Sequence, residues 1–290
     1  MLSRRSLLAA GMAAVATPAL ATRSPWPLGV QLWTAHAQLA ADFEATLRSI
    51  AEIGYRRVEA AGLHGRTPDT FRKALEAAGL SCDSAHVSMP DLRDDPDRAI
   101  CVARDLGARY LVCSSPAPVR PLQKGIDWNT ALARAMTLDD WKHNADLLNR
   151  FGARAAKAGL RLGYHNHLAE AGLYEGVRAY DLLLERTQPD LVCMQLDVAW
   201  AAAGGLDPVT LLQKHGARIA LLHLKDLAVK QDPGRSLTTV ELGRGTIDWS
   251  AVIPAAKAAG VRAAFVEQEA PFARPVLESL RISRDFLSGA

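Results

Sequence analysis

The sequence predicts an α/β protein that folds as a single (β/α)8 barrel. Eight short apolar runs, each of a length suited to one strand, alternate with eight amphipathic segments long enough for helices. Several helical segments are followed by glycine, which favours the left-handed conformation that ends a helix. Alternating strands and helices indicate a parallel sheet, and the count of eight indicates that the sheet closes.

The elements follow one another in a regular order along the chain. Strands are expected at residues 28–33, 57–61, 82–87, 110–114, 161–165, 192–197, 219–224 and 263–267. Helices are expected at residues 40–53, 67–78, 94–106, 138–158, 180–186, 208–214, 248–259 and 275–286. The glycines that follow helices are Gly54, Gly79, Gly107, Gly159 and Gly260. No change of composition marks a second domain, so the barrel is assigned to residues 22–290.

Residues 1–21 have the features of a secretory signal peptide. A basic start, a short Ala-rich apolar stretch and the sequence Ala19-Leu20-Ala21 form the expected pattern. Arg4 and Arg5 lie within S-R-R-x-L-L, which resembles a twin-arginine signal. A membrane anchor or core helix is the alternative, but the segment is short and contains Pro18. We therefore predict a periplasmic or otherwise exported protein that uses the twin-arginine export machinery and keeps no membrane anchor after cleavage.

The charge balance gives no sign of a polyanionic partner. The chain has 34 basic and 31 acidic residues, a net charge of 34 − 31 = +3, and loss of Arg4 and Arg5 leaves +1. Such a balance argues against nucleic acid or acidic lipid as a partner.

The cysteines are Cys82, Cys101, Cys113 and Cys193. Most lie in predicted strands, where a free cysteine behaves as a small apolar residue, although an oxidising compartment would permit disulfides.

Two connections between strands and helices are unusually long. Residues 115–137 follow the fourth strand, and residues 228–245 follow the seventh. A long loop in a compact domain is usually a lid or a binding loop, and a decorated surface loop is the alternative. Gly243 and Gly245 would let the backbone approach a ligand closely.

Four successive strands end in residues that bind metals. We assign His165, Asp197, His223 and Glu267 as the ligands of one divalent ion. The carboxyl ends of barrel strands surround a common mouth, so these side chains should converge. A set of two imidazoles and two carboxylates suits Mn²⁺, Fe²⁺, Co²⁺ or Zn²⁺ better than Ca²⁺ or Mg²⁺. Each residue alone could be a hydrogen-bonded core histidine or a helix-capping carboxylate.

A second tier of polar residues is expected at the rim. Side chains two positions apart on a strand share a face and lie about 6.6 Å apart along it. His167, Lys225 and Glu269 should therefore face the substrate beside their metal-binding neighbours. The other residues predicted to contact substrate are Glu59, His86, Trp33 and Trp200. The two tryptophans could stack on a sugar ring or could simply pack.

These residues resemble the xylose-isomerase-like barrel superfamily over nearly all of the chain after residue 21. The motifs that carry the resemblance are Gly54-Tyr55-Arg56-Arg57-Val58-Glu59, Tyr164-His165-Asn166-His167 with Glu170, Leu196-Asp197-Val198-Ala199-Trp200, His223-Leu224-Lys225-Asp226, Gly243-Arg244-Gly245 with Asp248-Trp249, and Val266-Glu267-Gln268-Glu269. The superfamily includes sugar-phosphate isomerase/epimerase-type proteins, ketose 3-epimerases, inosose dehydratases and, more distantly, endonuclease IV.

The resemblance implies a metal site with one departure. Epimerases of this superfamily hold one divalent ion with Glu, Asp, His and Glu, and the two glutamates handle the substrate proton. Asp197, His223 and Glu267 match these positions, whereas His165 stands in place of the first glutamate. The second proton transfer would then fall to His167, Lys225 or Glu269, with Glu267 as the base.

The implied reaction is metal-assisted proton abstraction next to the carbonyl of a carbohydrate, through an enediolate. Returning the proton elsewhere gives isomerisation or epimerisation, our first expectation. Expelling an oxygen substituent instead makes the enzyme a dehydratase or lyase that acts on a keto-sugar, inosose or 3-keto-glycoside. The expected export and the presence of His165 both favour this second reaction. A sugar-binding barrel without catalysis is a further alternative. A nuclease function is disfavoured, because binding nucleic acid requires a basic surface and the charge balance of this chain does not provide one. The residues do not indicate an oligomeric state.

Overall fold

The computed structural model describes residues 26–228 and 238–289 and confirms the predicted closed barrel. The predicted signal peptide lies outside these residues. The eight barrel strands are Gly29–Gln31, Arg57–Ala61, Ser81–Val87, Tyr110–Cys113, Arg161–His165, Val192–Asp197, Ile219–Leu224 and Ala263–Val266. Neighbouring strands are parallel and follow chain order, and the first pairs with the eighth. All eight carboxyl ends therefore open at the same mouth.

The helices alternate with the strands and cover the outside of the barrel. Those described are His36–Ala41, Phe43–Ile53, Pro68–Ala77, Met89–Asp94, Pro96–Asp105, Trp128–Ala135, Leu138–Lys157, Ala179–Arg186, Val198–Ala203, Pro208–His215, Trp249–Ala258 and Val276–Ser288. Many begin at a side-chain cap, as where Thr67 Oγ1 accepts from the Thr70 amide and Asp127 Oδ1 from the Thr130 amide. Gly54, with φ +116°, ends Phe43–Ile53 in the left-handed conformation. No described helix is long and apolar enough to cross a membrane.

The first strand ends earlier than the sequence indicated. It stops at Gln31, and a 3-10 turn over Leu32–Ala35 replaces the predicted end of the strand. The turn forms because Gln31 Oε1 accepts a hydrogen bond from the Trp33 amide at 3.0 Å. Trp33 is thereby turned out of the barrel wall, with just over half of its surface (53%) exposed.

The connection between the fourth and fifth strands has secondary structure of its own. Residues 115–137 contain the helix Trp128–Ala135, whereas the sequence indicated a loop throughout. The second long connection begins with Asp226–Leu227, which pairs antiparallel with Thr239–Val240. Residues 229–237 of that connection lie outside the described part of the chain.

Two apolar layers stabilise the barrel and leave its mouth polar. One layer packs helices onto the outer face of the sheet, and a smaller cluster, including Tyr110, Val112, Leu221 and Phe265, fills the interior. Cys82, Cys113 and Cys193 are buried free thiols, as expected for apolar cysteines in strands, and Cys101 is an exposed free thiol. Many of the buried polar side chains, among them Glu59, His165, Asp197 and His223, lie at the carboxyl ends of the strands.

Candidate active site

His223 lies at the centre of the site, between two carboxylates. Its Nδ1 is 2.6 Å from Glu267 Oε2, and its Nε2 is 2.5 Å from Glu59 Oε1. All three side chains are largely or completely buried. Although burial opposes protonation, the charges of Glu267 and Glu59 raise the pKa of His223 to about 10. In the metal-free protein His223 is therefore an imidazolium that links the second and eighth strands.

Asp197 divides its two oxygens between the fold and the site. Oδ1 accepts a hydrogen bond from the Trp200 amide at 2.9 Å and so caps the helix Val198–Ala203. Oδ2 accepts no hydrogen bond and faces Lys225 Nζ at 3.1 Å and His223 Nδ1 at 3.8 Å. Asp197 can therefore cap a helix and also take part in the site, because each function uses a different oxygen of its carboxylate.

Lys225 lies deeper than predicted. Its side chain is 1% exposed, and Nζ contacts Asp197 Oδ2, Glu267 Oε2 at 2.9 Å and Glu269 Oε1 at 2.5 Å. Burial disfavours the ammonium, but these three carboxylates hold its pKa well above the usual value. Lys225 is therefore a buried cation bound to the acidic residues, where the sequence indicated a group at the rim facing substrate.

Gln195 connects His165 and His86 to the rest of the site. Its Oε1 lies 3.1 Å from His165 Nδ1 and 2.8 Å from His86 Nε2, and its Nε2 donates to Glu59 Oε2 at 2.7 Å. Because a carbonyl oxygen only accepts, His165 carries its proton on Nδ1 and keeps Nε2 as an acceptor. Burial, with His223 nearby, holds the pKa of His165 well below its usual value, so the ring is neutral.

Glu59 and Gln195 each lie opposite an irregularity in the neighbouring strand, where Asp83 and Ala220 are the residues left out of the pairing. The pairing of the second and third strands shifts register between Val58 and Glu59, and that of the sixth and seventh shifts between Met194 and Gln195. Such bulges are common beside active sites, where they turn a side chain to a new direction. Regular alternation already places Gln195 on the face of the sixth strand that carries Asp197. An amide is neither a usual ligand of such metals nor an acid or base, so Gln195 was not assigned to the site.

His167 stands above this cluster on the wall of the cavity. Its ring packs against those of Trp128, at 4.9 Å between centroids, and Trp200, at 5.7 Å, and Nδ1 has no hydrogen-bond partner. Burial and the charge of Lys225 lower the pKa of His167 to about 3. Its backbone amide donates to the buried carboxylate of Glu170 at 2.9 Å, which also accepts from Tyr164.

A cavity of about 700 Å³ opens above these residues. Of the predicted site residues, His165, Glu267, His167, Glu269, His86, Trp33 and Trp200 line it. Glu59, predicted to contact substrate, is fully buried below the cavity and is not among its lining residues. Asp197, His223 and Lys225 also lie beneath the wall. The long connection contributes Trp128 and Asn129, which the sequence had not singled out.

The residues present fit a divalent ion, with three ligands rather than four grouped together. Single ligand atoms of Asp197, His223 and Glu267 lie within 4.8 Å of one another. The unbonded Oδ2 of Asp197 and the Nδ1 of His223 face this group, while Glu59 binds the other nitrogen of His223 in the manner of a supporting carboxylate. His165 instead groups with His86 and His223. The predicted fourth ligand therefore stands beside the triad.

A parallel eight-stranded barrel with histidine and carboxylates at its strand ends is a metal-site architecture of (β/α)8 enzymes. The family model of the xylose isomerase-like TIM barrel matches residues 47–287, and the chain belongs to that family. Inosose dehydratase of Geobacillus thermodenitrificans is 28% identical over 262 residues, covering 82% of this chain and 87% of that protein.

Solved structures of other proteins share the fold, and two of them illustrate the range. A sugar phosphate isomerase/epimerase from Parabacteroides distasonis superposes with a TM-score of 0.73 at 24% identity, covering 96% of this chain and 97% of that one. The IOLI protein with a bound zinc atom gives a TM-score of 0.65 at 17% identity, with 91% and 98% covered. The relatives thus include both dehydratases and isomerase/epimerases.

Proposed function

We propose that the protein is a divalent-metal-dependent dehydratase or lyase that acts on a polyhydroxylated ketone. The observation that carries the proposal is the triad of Asp197, His223 and Glu267, which lies directly beneath a cavity that can hold a sugar and reaches its lining through Glu267. The similarity to an inosose dehydratase over most of both chains supports this reaction class. A keto-inositol or a keto-sugar is the substrate class that we expect.

A bound divalent ion would supply Lewis-acid stabilisation of the negative charge that develops on the substrate's oxygens. Glu267 is the group we assign to removal of the proton beside the carbonyl, because its side chain lines the cavity. Although burial favours the neutral acid, Lys225 and His223 hold the pKa of Glu267 below its usual value. The carboxylate is therefore ionised, which is the form that a general base requires.

The leaving oxygen needs a hydrogen-bonding group on another side of the substrate. We assign this role to His167, whose unpartnered Nδ1 and position on the fifth-strand side distinguish it from Glu267 on the eighth. Lys225 is firmly protonated and bound by three carboxylates, so it is a poor proton donor. We assign it to holding the carboxyl groups of Asp197, Glu267 and Glu269 in place.

Isomerisation or epimerisation is the second candidate. The solved structures named sugar phosphate isomerase/epimerase share the fold, and the first step of both reactions is the same proton abstraction. Epimerisation by two bases requires a carboxylate at the position that His165 occupies. The neutral imidazole of His165, with Nε2 as an acceptor, is the group that would have to replace it.

Metal analysis combined with NMR in D₂O tests both reactions. The protein is incubated with free ketoses, inososes and 3-keto-glycosides, and products and proton exchange are followed. Loss of an oxygen substituent with exchange of the α-proton supports the lyase, and a rearranged sugar of the same composition supports the isomerase. Asp197→Ala should abolish bound metal and turnover, while the exposed Asp139→Ala should change neither. Full turnover by metal-free protein would contradict the proposal.

We also propose that the protein is exported. The sequence of residues 1–21 supports this, as does the unphosphorylated substrate class, since sugar phosphates are mainly cytoplasmic. Cell fractionation tests it with Arg4→Lys and Arg5→Lys combined, which keep the charge but remove the arginine pair. The variant should stay uncleaved in the cytoplasm. Equal export of variant and parent would contradict use of the twin-arginine route.

A further inference from the structure

We propose that the substrate is an uncharged carbohydrate longer than one ring, and that Trp128 and Asn129 bind the ring beyond the reacting one. The inference rests on the proposed function for the identity of the reacting ring. The second ring site itself depends on the long connection between the fourth and fifth strands, whose helix Trp128–Ala135 forms one wall of the cavity.

The cavity is larger than one sugar ring requires. Its volume of about 700 Å³ lies in the upper part of the range of roughly 300–1,000 Å³ that holds drug-sized ligands. A single hexose or inosose is much smaller than such a ligand. Bound at the floor against His165 and Glu267, it would leave the space beside Trp128 open to solvent.

The open space is bordered by exposed tryptophan rings. Trp128 is 41% exposed and Trp33 is 53% exposed, although large apolar side chains are usually covered. Trp33 follows the first strand, and Trp128 lies between the fourth and fifth, so the rings stand on opposite sides of the closed barrel. An exposed aromatic face is a surface on which the C–H face of a sugar ring can pack.

Unpaired polar atoms lie on the same wall as Trp128. Asn129 Oδ1, His167 Nδ1 and Trp200 Nε1 are buried atoms without hydrogen-bond partners, and all three residues line the cavity. Buried polar atoms normally have partners, so a group of unpaired ones needs an explanation. A ligand rich in hydroxyl groups offers both donors and acceptors. Together with the ring of Trp128, these atoms define a site suited to a sugar.

The charges at the cavity favour a ligand without phosphate. Among the described residues its lining includes the carboxylates of Asp91, Asp127, Glu267 and Glu269 and no lysine or arginine. Carboxylates accept hydrogen bonds from sugar hydroxyls but repel a phosphate. The helices Met89–Asp94 and Trp128–Ala135, which begin beside the cavity, are already capped by Ser88 and Asp127, whose side chains accept hydrogen bonds from amides of their own helices.

Calorimetric binding of non-reacting sugars to the metal-loaded protein tests the second ring site. The probes are glucose, glucose 6-phosphate and the disaccharides cellobiose, maltose and trehalose. We expect at least one disaccharide to bind at least tenfold more tightly than glucose, and glucose 6-phosphate to bind no better than glucose. Trp128→Ala should weaken disaccharide binding about tenfold and change glucose binding less than twofold, and Asn129→Ala should have the same selectivity with a smaller effect.

Leu173→Ala is the matched control, because Leu173 is 63% exposed and is not among the lining residues. It should change neither affinity. Equal affinities for glucose and every disaccharide, tighter binding of the phosphate ester, or equal losses for both sugars in Trp128→Ala would overturn the proposal. The two proposals can fail separately. If disaccharides bind selectively and this depends on Trp128, but no keto-sugar is turned over, the proposed reaction is contradicted and the second ring site is supported.

Discussion

Single residues at the strand ends have paired roles, one in the fold and one in the site. Asp197 uses one oxygen to cap a helix and presents the other to Lys225 and His223. Glu59 is buried, like a core residue, yet it bonds directly to His223 and Gln195. A residue of this kind can be essential to the site without touching a substrate.

Replacing Glu59 with Gln tests its supporting role. The amide would place an N–H group opposite Gln195 or His223, both of which donate to Glu59. We expect metal affinity to fall about 10- to 100-fold, the usual effect of losing a carboxylate that supports a histidine ligand. Metal titration measures this. The exposed Glu44→Gln should leave affinity unchanged, and an unaffected Glu59→Gln would place Glu59 outside the metal site.

Glu170 should make stability depend on pH. Burial raises the pKa of Glu170 to about 7, above the value of about 4.3 for an unfolded glutamate. The folded state therefore holds a proton that the unfolded state has lost. The stabilisation is present below pH 4.3 and is lost as the pH rises through 7, by about 4 kcal/mol at most.

Urea unfolding of metal-free protein at several pH values measures this effect. The variant Glu170→Gln cannot titrate, so the difference in unfolding free energy between parent and variant should change in the variant's favour between pH 5 and 8. Histidines that titrate nearby contribute equally to both proteins and cancel. A difference that stays constant with pH would show that Glu170 is ionised throughout.

At the scale of elements, the long connection is attached to the barrel by polar contacts. Asn144, on the helix Leu138–Lys157, accepts from the Ala117 amide and donates to the Ala117 carbonyl, both at 2.9 Å. Asp140 Oδ1 accepts from the Val119 amide at 3.1 Å, while Oδ2 completes a capping box with Thr137. These contacts fix the start of the segment that carries Trp128.

Asn144→Ala should loosen the wall of the cavity. It leaves the backbone of Ala117 without partners, which costs roughly 1–3 kcal/mol where such groups are buried. We expect lower stability and an increase of several-fold in KM. Asn149→Ala removes a similar pair of backbone bonds, to Arg186 and Gln188, and should lower stability without changing KM. Equal KM values for the two variants would contradict the attachment argument.

At the scale of the whole molecule, the triad joins three neighbouring strands of the closed barrel. Asp197, His223 and Glu267 lie at the ends of the sixth, seventh and eighth strands. An ion bound there exists only in the folded protein, so it stabilises that state by mass action. The site and the closure of the sheet are therefore energetically coupled.

Removal of metal should lower the melting temperature. At a free metal concentration of 100 times Kd the stabilisation is about 2.7 kcal/mol, which for a chain of this size corresponds to a shift of roughly 5–10 °C. Scanning calorimetry with and without a chelator measures it. Asp197→Ala should melt at the same temperature in both conditions. A chelator-independent melting temperature of the parent protein would argue against a metal at the triad.

The sequence by itself determined the order of the strands and helices and the polar residues at the strand ends. Strand and helix periodicity is local, so eight strands, their order and the residues at their ends could be read directly. Asp197, His223 and Glu267 are found together because parallel strands bring their carboxyl ends to one mouth. Trp128 lies in the connection that the sequence indicated as a lid or binding loop, but an exposed residue at the start of a short helix has no periodic signal that assigns it to the cavity.

Only the tertiary structure decided what surrounds the triad. Glu59 meets His223 across 164 positions of sequence, and Gln195 meets Glu59 across 136. The burial of Lys225 among three carboxylates likewise depends on three strands at once. Such contacts are set by the closure of the barrel, and no local stretch of sequence contains them.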